Sequence, residues 1–403
     1  MKVSINLERP HEDQKYEHLI SSYHSKQIHG LDVCIKKELV ATCSSDRTVR
    51  LWSYTAGNMF KSELCYKCDF EAHALAFHPS GLHIVVGFSD QVRMMNILDR
   101  TLVEYKKLPI KECREIVFSH GGHLFACQND KEVWVYKFYT ASITQSFKFA
   151  MHAQPVKRIA WLDDDTGFVT CGQDAQIYVW RLYPAAGESQ PAWSFKLLQK
   201  TSFSSVACFK TEADLEPTVF AACSDRCIRE IVRENPDSTQ GTFKLGYSEN
   251  LTYSQVLLGA HRQTLYAALA EPNRPGSIQI FSYARGEHME KVLEVQAHAQ
   301  QIERMRLNYD NSKLFSVGID GTLCCFSVLG RSRVQNMTEI LHGEILIEKR
   351  TLDQIQSRIK SLNADIELQE KTREQQLKNT MQRNDDEIAE LERAIEEQKM
   401  QFE

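Results

Sequence analysis

The chain has 403 residues, of which 42% are hydrophobic and 25% are charged, and its formal net charge is −5 at pH 7. This composition is typical of a globular protein with ample core-forming residues, and it lacks the basic excess of a nucleic-acid-binding protein. The first residues contain no apolar segment of signal-peptide length and the longest apolar runs are short, so we expect neither an export signal nor a membrane span.

The first predicted elements are short strands after an N-terminal extension at residues 1–15. They lie around "LVATC" and "TVRLW", on both sides of the polar turn in "ATCSSDRTVRLW", residues 41–52. β-Branched and aromatic residues dominate both strands. In the second strand Val49 and Leu51 face one way, whereas Thr48, Arg50 and Trp52 face the other. Both faces are largely apolar, which predicts a sheet packed between two neighbouring sheets.

A fixed set of intervals around Asp46 recurs along the chain. A histidine lies 22 residues before the aspartate, a hydroxyl residue lies 18 after that histidine, and an aromatic residue lies 6 after the aspartate. Such self-similarity indicates a repeat protein. The three complete sets are His24, Thr42, Asp46 and Trp52; His152, Thr170, Asp174 and Trp180; and His298, Ser316, Asp320 and Phe326.

Weaker copies fill the intervals between these sets, with turn aspartates at Asp90, Asp130 and Asp225. The repeat units end at residues 52, 95, 136, 180, 231, 281 and 326, at spacings of 41 to 51 residues. Seven units of this length, each with short strands, predict an all-β seven-bladed WD40 β-propeller over residues 16–330. On these motifs the chain resembles the WD-repeat propellers.

We interpret the recurrent set as structural. An aspartate in a tight turn accepts hydrogen bonds, and the histidine, hydroxyl and indole groups satisfy polar atoms that would otherwise be buried without partners. A histidine, a hydroxyl and a carboxylate also occur in hydrolase triads. However, the set occurs three times at the same spacing, and no glycine-framed nucleophile turn accompanies it. We therefore predict no catalytic residues and no cofactor.

Ring closure has a candidate segment near the start of the chain. "KYEHLISSY", residues 15–23, precedes the first histidine and has no partner strand in its own repeat unit. In WD-repeat propellers that this chain resembles, such a segment forms the outermost strand of the last blade and covers its open edge. We therefore expect residues 15–23 to pair beside the strand that ends at Phe326.

Other candidate sites have simpler explanations. Cys65 and Cys68 form a CxxC without a second pair at zinc spacing, and "HALAFHP", which contains His73 and His78, fits an inner strand and its turn. The three aspartates at residues 163–165 fall where the repeat predicts a solvated turn. The scattered cysteines are expected to be reduced core residues in a cytosolic compartment. No phosphate-binding loop follows a strand, so we predict neither a metal site nor a nucleotide site.

The C-terminal part has a different composition. After a linker at residues 331–340, residues 341–403 contain 15 acidic and 10 basic residues, and no proline. Apolar residues recur every seven positions with intervening d positions, are interrupted at Arg373 and Gln376, and resume one residue late, which predicts a long coiled-coil helix. A solvated single helix is the alternative. The predicted seam comprises Ile345, Leu352, Ile355, Ile359, Leu362, Ile366, Met381, Ile388, Leu391 and Ile395.

The combination is similar to one particular family. "IHGLDVC", "HPSGLHIVVGFSDQVRMMNIL", "CREIVFSHGGHLFA" and "GEILIEKRTLDQIQSRIKSL" resemble the cilia- and flagella-associated protein 57 family, whose members carry two propellers before a coiled coil. This chain resembles the second propeller and the start of the coil. The resemblance implies a non-enzymatic scaffold of the axoneme of motile cilia, on doublet microtubules near radial spokes and the regulatory complex, which helps to seat inner dynein arms.

Two other classes of function remain. WD40 substrate receptors of ubiquitin ligases, or other adaptors of soluble complexes, often carry Trp-Asp-x-Arg at strand ends, whereas this chain has "WSYT" after Trp52 and "WRLY" after Trp180. An enzyme is the third class, and the sequence offers no catalytic set for it. The expected partners are therefore axonemal proteins and a helical partner or second copy of the chain, with no nucleic acid and no membrane.

Overall fold

The computed structural model describes two compact units, Met1–Ile345 and Leu346–Glu403. The described residues are 2–4, 15–17, 23–54, 61–98, 101–139, 142–183, 193–198, 202–210, 217–232, 242–247, 250–259, 264–283, 289–328 and 345–402. Among these, no helix combines the length and the apolar character needed to span a membrane.

The first unit contains a short two-stranded pair followed by antiparallel sheets whose strands follow chain order. The pair is β1 (Lys2–Ser4) with β2 (Lys15–Glu17), and the first four blades are β3 (Ile28–Val33), β4 (Leu39–Ser44), β5 (Thr48–Ser53) and β6 (Lys61–Lys67); β7 (Ala72–Phe77), β8 (His83–Phe88), β9 (Val92–Ile97) and β10 (Leu102–Leu108); β11 (Ile116–Phe118), β12 (Leu124–Asn129), β13 (Glu132–Tyr139) and β14 (Ser142–Phe149); and β15 (Val156–Trp161), β16 (Gly167–Gly172), β17 (Gln176–Arg181) and β18 (Trp193–Leu198).

Three further sheets complete the ring, so the predicted seven-bladed propeller is confirmed. The fifth and sixth blades have four strands each, and the seventh has three within the described residues. These blades are β19 (Phe203–Phe209), β20 (Thr218–Cys223), β21 (Ile228–Val232) and β22 (Thr242–Tyr247); β23 (Tyr253–Leu258), β24 (Thr264–Leu269), β25 (Ser277–Ser282) and β26 (Glu290–Gln296); and β27 (Ile302–Leu307), β28 (Lys313–Gly318) and β29 (Leu323–Ser327).

The hydrophobic core consists of separate clusters between adjacent blades. Ala41 and Val49 of blade one, for example, pack with Phe77, Ile84 and Phe88 of blade two. Each sheet therefore buries apolar side chains on both faces, as the two-faced pattern of its strands predicts.

The ring closes through packing of blade seven on blade one. Ile28, Leu31 and Trp52 of the first blade share one buried cluster with Phe315 and Val317 of the last. Lys313 Nζ adds a hydrogen bond of 3.1 Å to the Tyr54 carbonyl oxygen.

The predicted closing strand is wrong for the part that the structure describes. β2 pairs with β1 in register Val3 opposite Tyr16, not with β29. The short polar segments that contain β1 and β2 can satisfy their backbone groups in an antiparallel ribbon of their own. Residues 18–22 of the predicted strand lie outside the described residues, and Tyr23 stacks on Trp52 with ring centroids 5.8 Å apart.

The second unit contains α1 (Lys349–Phe402), a helix of 54 residues. Its first turn is marked by the Leu352 N–H, which donates to the Glu348 carbonyl oxygen at 3.0 Å. The helix therefore begins later than the predicted residue 341, and Ile345 is not on it. Ile345 and Ile347 flank Leu346, and such β-branched residues favour extended backbone. The predicted linker, residues 331–340, lies outside the described residues.

Candidate functional site

The repeat set of blade four forms one continuous hydrogen-bonded chain. The Trp180 indole Nε1 donates to Thr170 Oγ1 at 2.9 Å, and Thr170 Oγ1 lies 2.9 Å from His152 Nε2. His152 Nδ1 lies 3.1 Å from both carboxylate oxygens of Asp174. The Ala153 N–H also donates to Asp174 Oδ2, at 2.8 Å. The carboxylate thus ties the turn to the strand that enters the blade.

Blade one repeats this geometry. Trp52 Nε1 donates to Thr42 Oγ1 at 2.8 Å, and His24 contacts Thr42 at 2.8 Å and Asp46 at 3.0 Å through its two ring nitrogens. Since Thr42 Oγ1 already accepts from the indole, its own proton is available to His24 Nε2. His24 is then neutral and donates from Nδ1 to the carboxylate, so that every group in the chain has a partner.

The protonation states agree with this direction of donation. Burial lowers the pKa of His24, because it outweighs the opposing effect of the Asp46 carboxylate. The lowered pKa favours the neutral ring. Burial acts to raise the pKa of Asp46, but hydrogen bonds from Thr48 and His24 outweigh it and hold that pKa below its ordinary value. A neutral imidazole next to an ionised carboxylate therefore forms a fixed hydrogen bond in blade one.

The turn that carries the aspartate explains why a carboxylate is needed there. Arg47 and Ala175, which follow the aspartates of blades one and four, have φ of 61° and 59°, in the left-handed region that non-glycine residues rarely occupy. Asp46 accepts from the Thr48 N–H at 3.0 Å and so closes this turn. In blade seven a glycine, Gly321, takes the same position with φ of 75°.

The other blades keep only part of the network. In blade seven, His298 contacts Ser316 at 2.8 Å and Asp320 at 3.3 Å, but Phe326 cannot supply the indole donor. In blade two an arginine replaces the histidine as partner, because Arg93 donates to Asp90 at 2.8 Å. In blade five Asp225 likewise pairs with an arginine, Arg229. In these blades the turn aspartate is therefore bound either by a histidine or by an arginine.

A buried ionic layer crosses the central channel of the propeller, and sequence reasoning missed it. Glu115 of blade three contacts Arg158 of blade four at 3.3 Å and also pairs with Arg304 of blade seven. Arg304 further donates to the carbonyl oxygens of Arg114 at 2.6 Å and His29 at 3.2 Å. The Arg304 side chain thus joins blades one, three and seven, and Glu115 links blade four to them through Arg158.

Electrostatics in this layer depend on Glu115. Burial acts to raise the pKa of Glu115, but Arg304 and Arg158 together outweigh it and keep the carboxylate ionised. Burial and the neighbouring Arg304 lower the pKa of Arg158 to about 10. Removing the carboxylate would leave two cations close together in a largely buried site.

One sequence signal could have revealed the two arginines. Arg158 and Arg304 each lie 6 residues after a repeat histidine. In six blades the innermost strand contains a β-bulge, which changes the direction of the side chain that follows it. Six residues directly follow these bulges. These residues are Gly30, Ala74, Arg158, Ser205, Gln255 and Arg304.

The channel opens into a cavity on each side of the ionic layer. The larger, of about 920 Å³, is bordered by Lys111, Arg114, Lys157 and Glu303. The smaller, of about 500 Å³, is bordered by Arg306 and several backbone segments of the inner strands. The residues that border each cavity include both acidic and basic groups.

The remaining candidates of the sequence lie apart from each other. The His73 ring packs against His29 with centroids 5.5 Å apart, whereas the His78 ring packs 4.6 Å from that of Phe138. Cys65 is exposed and Cys68 is partly buried. Burial raises the pKa of Cys68 to about 12, so this thiol is unreactive at neutral pH.

The three consecutive aspartates act as bridges between blades. Asp165 accepts from the backbone N–H groups of His120 at 2.8 Å and Gly121 at 2.7 Å, both in blade three. Asp164 pairs with Lys210 of blade five at 2.8 Å. The segment is the predicted turn, and its carboxylates are occupied by protein donors.

One group of potential metal ligands occurs among the described residues: Cys223, Asp225 and Cys227. The Cys227 thiol donates to Asp225 Oδ1 at 2.7 Å, and Arg229 Nε donates to Cys227 Sγ at 3.1 Å. A guanidinium that already binds the carboxylate and a thiol opposes a cation at this position. The group is better explained as the blade-five version of the aspartate turn.

The helical seam is an exposed row of apolar side chains. The seam residues from Leu352 to Ile395 are 43–63% exposed, although apolar residues at heptad spacing are normally covered by another helix. Leu377, which sequence analysis did not include, lies four residues before Met381 and extends the second register. The a and d side chains from Leu352 to Ile395 that the sequence predicted are therefore partly exposed.

Comparisons with known proteins agree with the predicted repeats. The family model described as "WD domain, G-beta repeat" matches residues 17–53 and 143–181. Cilia- and flagella-associated protein 57 A of Tetrahymena thermophila is 32% identical over 417 residues, which cover 97% of this chain and 32% of that protein. Cilia- and flagella-associated protein 57 of Mus musculus is 31% identical over 373 residues, covering 90% of this chain and 27% of that protein.

A more distant relative matches a smaller share of the chain. WD repeat-containing protein 1 of Xenopus tropicalis is 27% identical over 200 residues, covering 40% of this chain and 33% of that protein. The chain spans about a third of the length of the relatives it matches. These matches confirm the resemblance to the cilia- and flagella-associated protein 57 family and indicate a cilia- or flagella-associated WD-repeat protein.

Proposed function

We propose that this chain, a WD-repeat protein similar to the cilia- and flagella-associated protein 57 family, is a non-enzymatic scaffold of the axoneme in motile cilia or flagella. In this role it helps to assemble or anchor inner dynein arms on doublet microtubules, near radial spokes and the regulatory complex. The observation that carries the proposal is similarity over 97% of the chain to a protein whose name records association with cilia and flagella.

Two physical features support a scaffold. The propeller is cross-linked between blades by the ionic layer around Glu115 and by the carboxylates of Asp164 and Asp165, so it presents loops on a rigid body. The helix extends over about 80 Å at 1.5 Å per residue, and its apolar seam is exposed. The propeller offers loops and the helix offers an apolar seam as separate contact surfaces for partners.

The repeat histidines, hydroxyls and aspartates serve the fold in this proposal. Each member is engaged by the others of its set, and the Thr170 hydroxyl in blade four is shared between an indole and an imidazole. A nucleophile needs a free oxygen next to an approach path for substrate. The proposal therefore assigns no catalytic role to these residues.

The partner of the helix is a helical surface in this proposal. Residues 341–403 carry 15 acidic against 10 basic residues, so electrostatic attraction to an acidic filament surface is not available. An apolar seam at heptad spacing is instead matched by a second helix. That helix belongs either to another axonemal protein or to a second copy of this chain.

Axoneme retention tests the proposal. The full chain is tagged and expressed in a ciliated cell, and isolated axonemes are washed with increasing salt. We expect the wild-type chain to stay with the axoneme, and the seam variant Ile359→Lys with Ile366→Lys to be released. The matched control is Ala364→Lys with Leu368→Lys, which adds the same charge outside the seam and should be retained.

Other outcomes separate the alternatives. A wild-type chain found entirely in the soluble cell fraction contradicts the scaffold proposal and favours an adaptor of a soluble complex. If the seam variant is retained like wild type, the attachment surface lies on the propeller and the role proposed for the helix is wrong.

A further inference from the structure

The charges beside the seam contain information on the partner that the apolar residues do not. In a two-stranded parallel coil, positions e and g flank the seam, and a g residue on one helix faces the e residue five positions later on the other. With Leu352, Ile359 and Ile366 at a in the first register, the flanking acidic residues are Asp365 at g and Glu370 at e. All of these positions lie on α1.

The second register gives the same result. With Met381, Ile388 and Ile395 at a, Glu387 occupies g and Glu392 occupies e. Leu377 and Leu391 take d positions in this register. Isoleucine at a with leucine at d favours two strands over three or four.

A second copy of this chain, parallel and in register, is poorly matched at these positions. Asp365 would face Glu370, and Glu387 would face Glu392, each pair occurring twice in a symmetric dimer. Across the one-residue skip, Arg373 would face Lys378, which is again a pair of like charges. The remaining g–e pairs contain no opposite charges; they are Thr351–Gln356, Arg358–Asn363, Thr380–Asp385 and Ala394–Lys399.

We propose that α1 forms a parallel two-stranded coiled coil with a helix of a different protein, which carries Lys or Arg opposite Asp365, Glu370, Glu387 and Glu392. This inference rests on the proposed role of the seam and specifies its partner. The partner's pattern is basic opposite residues 365–370 and 387–392, and acidic between them, opposite Arg373 and Lys378. Like charges at facing e and g positions discriminate against self-pairing without weakening the apolar seam.

The test uses a copy of the full chain as the probe for such a partner. Its four acidic flanking residues are reversed, as D365K, E370K, E387K and E392K. We expect wild type alone and the reversed variant alone to sediment as monomers. An equal mixture should form a heterodimer, with a dissociation constant at least tenfold lower than that for self-association of either protein. The matched control is E367K, D386K, E390K and E397K, which makes the same change in charge at b, c and f positions and should not associate with wild type.

Orientation and salt dependence complete the test. Energy transfer between dyes at the two C-termini should be high in the mixed dimer, because the helices are parallel, and raising the salt concentration should weaken the dimer. Wild type that dimerises as tightly as the mixture, or in antiparallel orientation, overturns the inference in favour of a second copy. A mixture that does not dimerise overturns the charge rule.

A further variant distinguishes failure of this inference from failure of the proposed function. Ile359→Lys and Ile366→Lys are added to the reversed chain, and the mixture with wild type is measured again. Loss of the mixed dimer supports the seam as its contact surface. A mixed dimer that persists shows that the proposed seam contact is wrong, even if the flanking charges pair as proposed.

Discussion

The propeller and the helix use apolar residues in opposite ways. In the propeller, large side chains such as Phe125 and Phe168 are fully buried between blades. On the helix, Ile359 and Ile366 are both 52% exposed, although their spacing is as regular as that of any strand. Within one chain, the apolar residues of the propeller are thus covered by each other, whereas those of the helix are left partly exposed. We propose that stability resides in the first region and partner recognition in the second.

Charged residues differ in the same sense. Those in the propeller interior are paired with each other, as Glu115 is with Arg158 and Arg304. Beside the helical seam, Asp365 and Glu387 would face Glu370 and Glu392 in a parallel, in-register second copy. The comparison predicts large losses of stability for changes in the propeller network, and none for changes in the seam.

The largest effect is expected from Glu115→Gln. This change leaves two buried guanidinium groups without their carboxylate, and breaking a buried ion pair on one side costs about 3–5 kcal/mol. The free energy of unfolding of the full chain in urea, followed by tryptophan fluorescence, measures the loss. The control is Lys148→Ala, which breaks the exposed pair with Glu132 and should cost about 0–1 kcal/mol. Equal small losses for both variants would show that the ionic layer is well solvated.

The second largest effect is expected from Asp174→Ala. The change leaves His152 and the Ala153 N–H without their acceptor and removes support from the strained turn at Ala175, so we expect a loss of about 2–4 kcal/mol. The same urea experiment measures it. Asp164→Ala, which removes a more exposed turn carboxylate, is the control and should cost less. An unchanged unfolding midpoint for Asp174→Ala contradicts the structural role of the repeat set.

The sequence predicts the blades well because the repeat intervals reflect local geometry. A histidine and an aspartate 22 residues apart meet when one short antiparallel hairpin lies between them, so their spacing gives the strand positions directly. The helix is equally predictable, because a seven-residue period has few alternatives. The sequence predicts its start at residue 341, whereas the helix begins at Lys349. The two differ because Ile345 continues the seven-residue period but lies before the helix.

The ionic layer could not be predicted in the same way. Glu115 and Arg304 are 189 residues apart and belong to different units of the repeat. Their contact depends on the closed ring, which brings every inner strand to one axis. The pairing of Lys15–Glu17 with Lys2–Ser4 also depends on a choice between two edges, and the residue types in these strands suit either edge. Nothing in the local sequence specifies that choice.

The next effect in size is loss of stability in acid. Burial lowers the pKa of His24, His83 and His298, and burial together with His83 lowers that of His78 to about 4. Since the unfolded chain binds these protons near pH 6.5, the stabilisation is complete above that pH and is lost as the pH falls toward the folded values. Thermal melts from neutral pH to about pH 5 should show a Tm that falls by several degrees.

One histidine should act in the opposite direction and serves as the control. The Asp165 carboxylate raises the pKa of His120, so its contribution is present in acid and is lost as the pH rises through the folded value. His78→Gln should flatten the decline in acid, and His120→Gln should make it steeper. A Tm that is independent of pH for all three proteins contradicts the neutral, buried state of these rings.

The smallest effect on the propeller is expected from the seam variant Ile359→Lys with Ile366→Lys. The two regions form separate compact units, and substitutions that share no contacts act independently. Lysine has a helix propensity close to that of the strongest helix formers, so the helix should persist. Far-ultraviolet circular dichroism should keep its helical signal, and the propeller's free energy of unfolding should change by less than about 0.5 kcal/mol. Because all five tryptophans lie between Trp52 and Trp193, their fluorescence reports the propeller alone. A lowered propeller midpoint would mean that the seam packs on the disc, and the division between a self-contained region and a partner-seeking region would then be wrong.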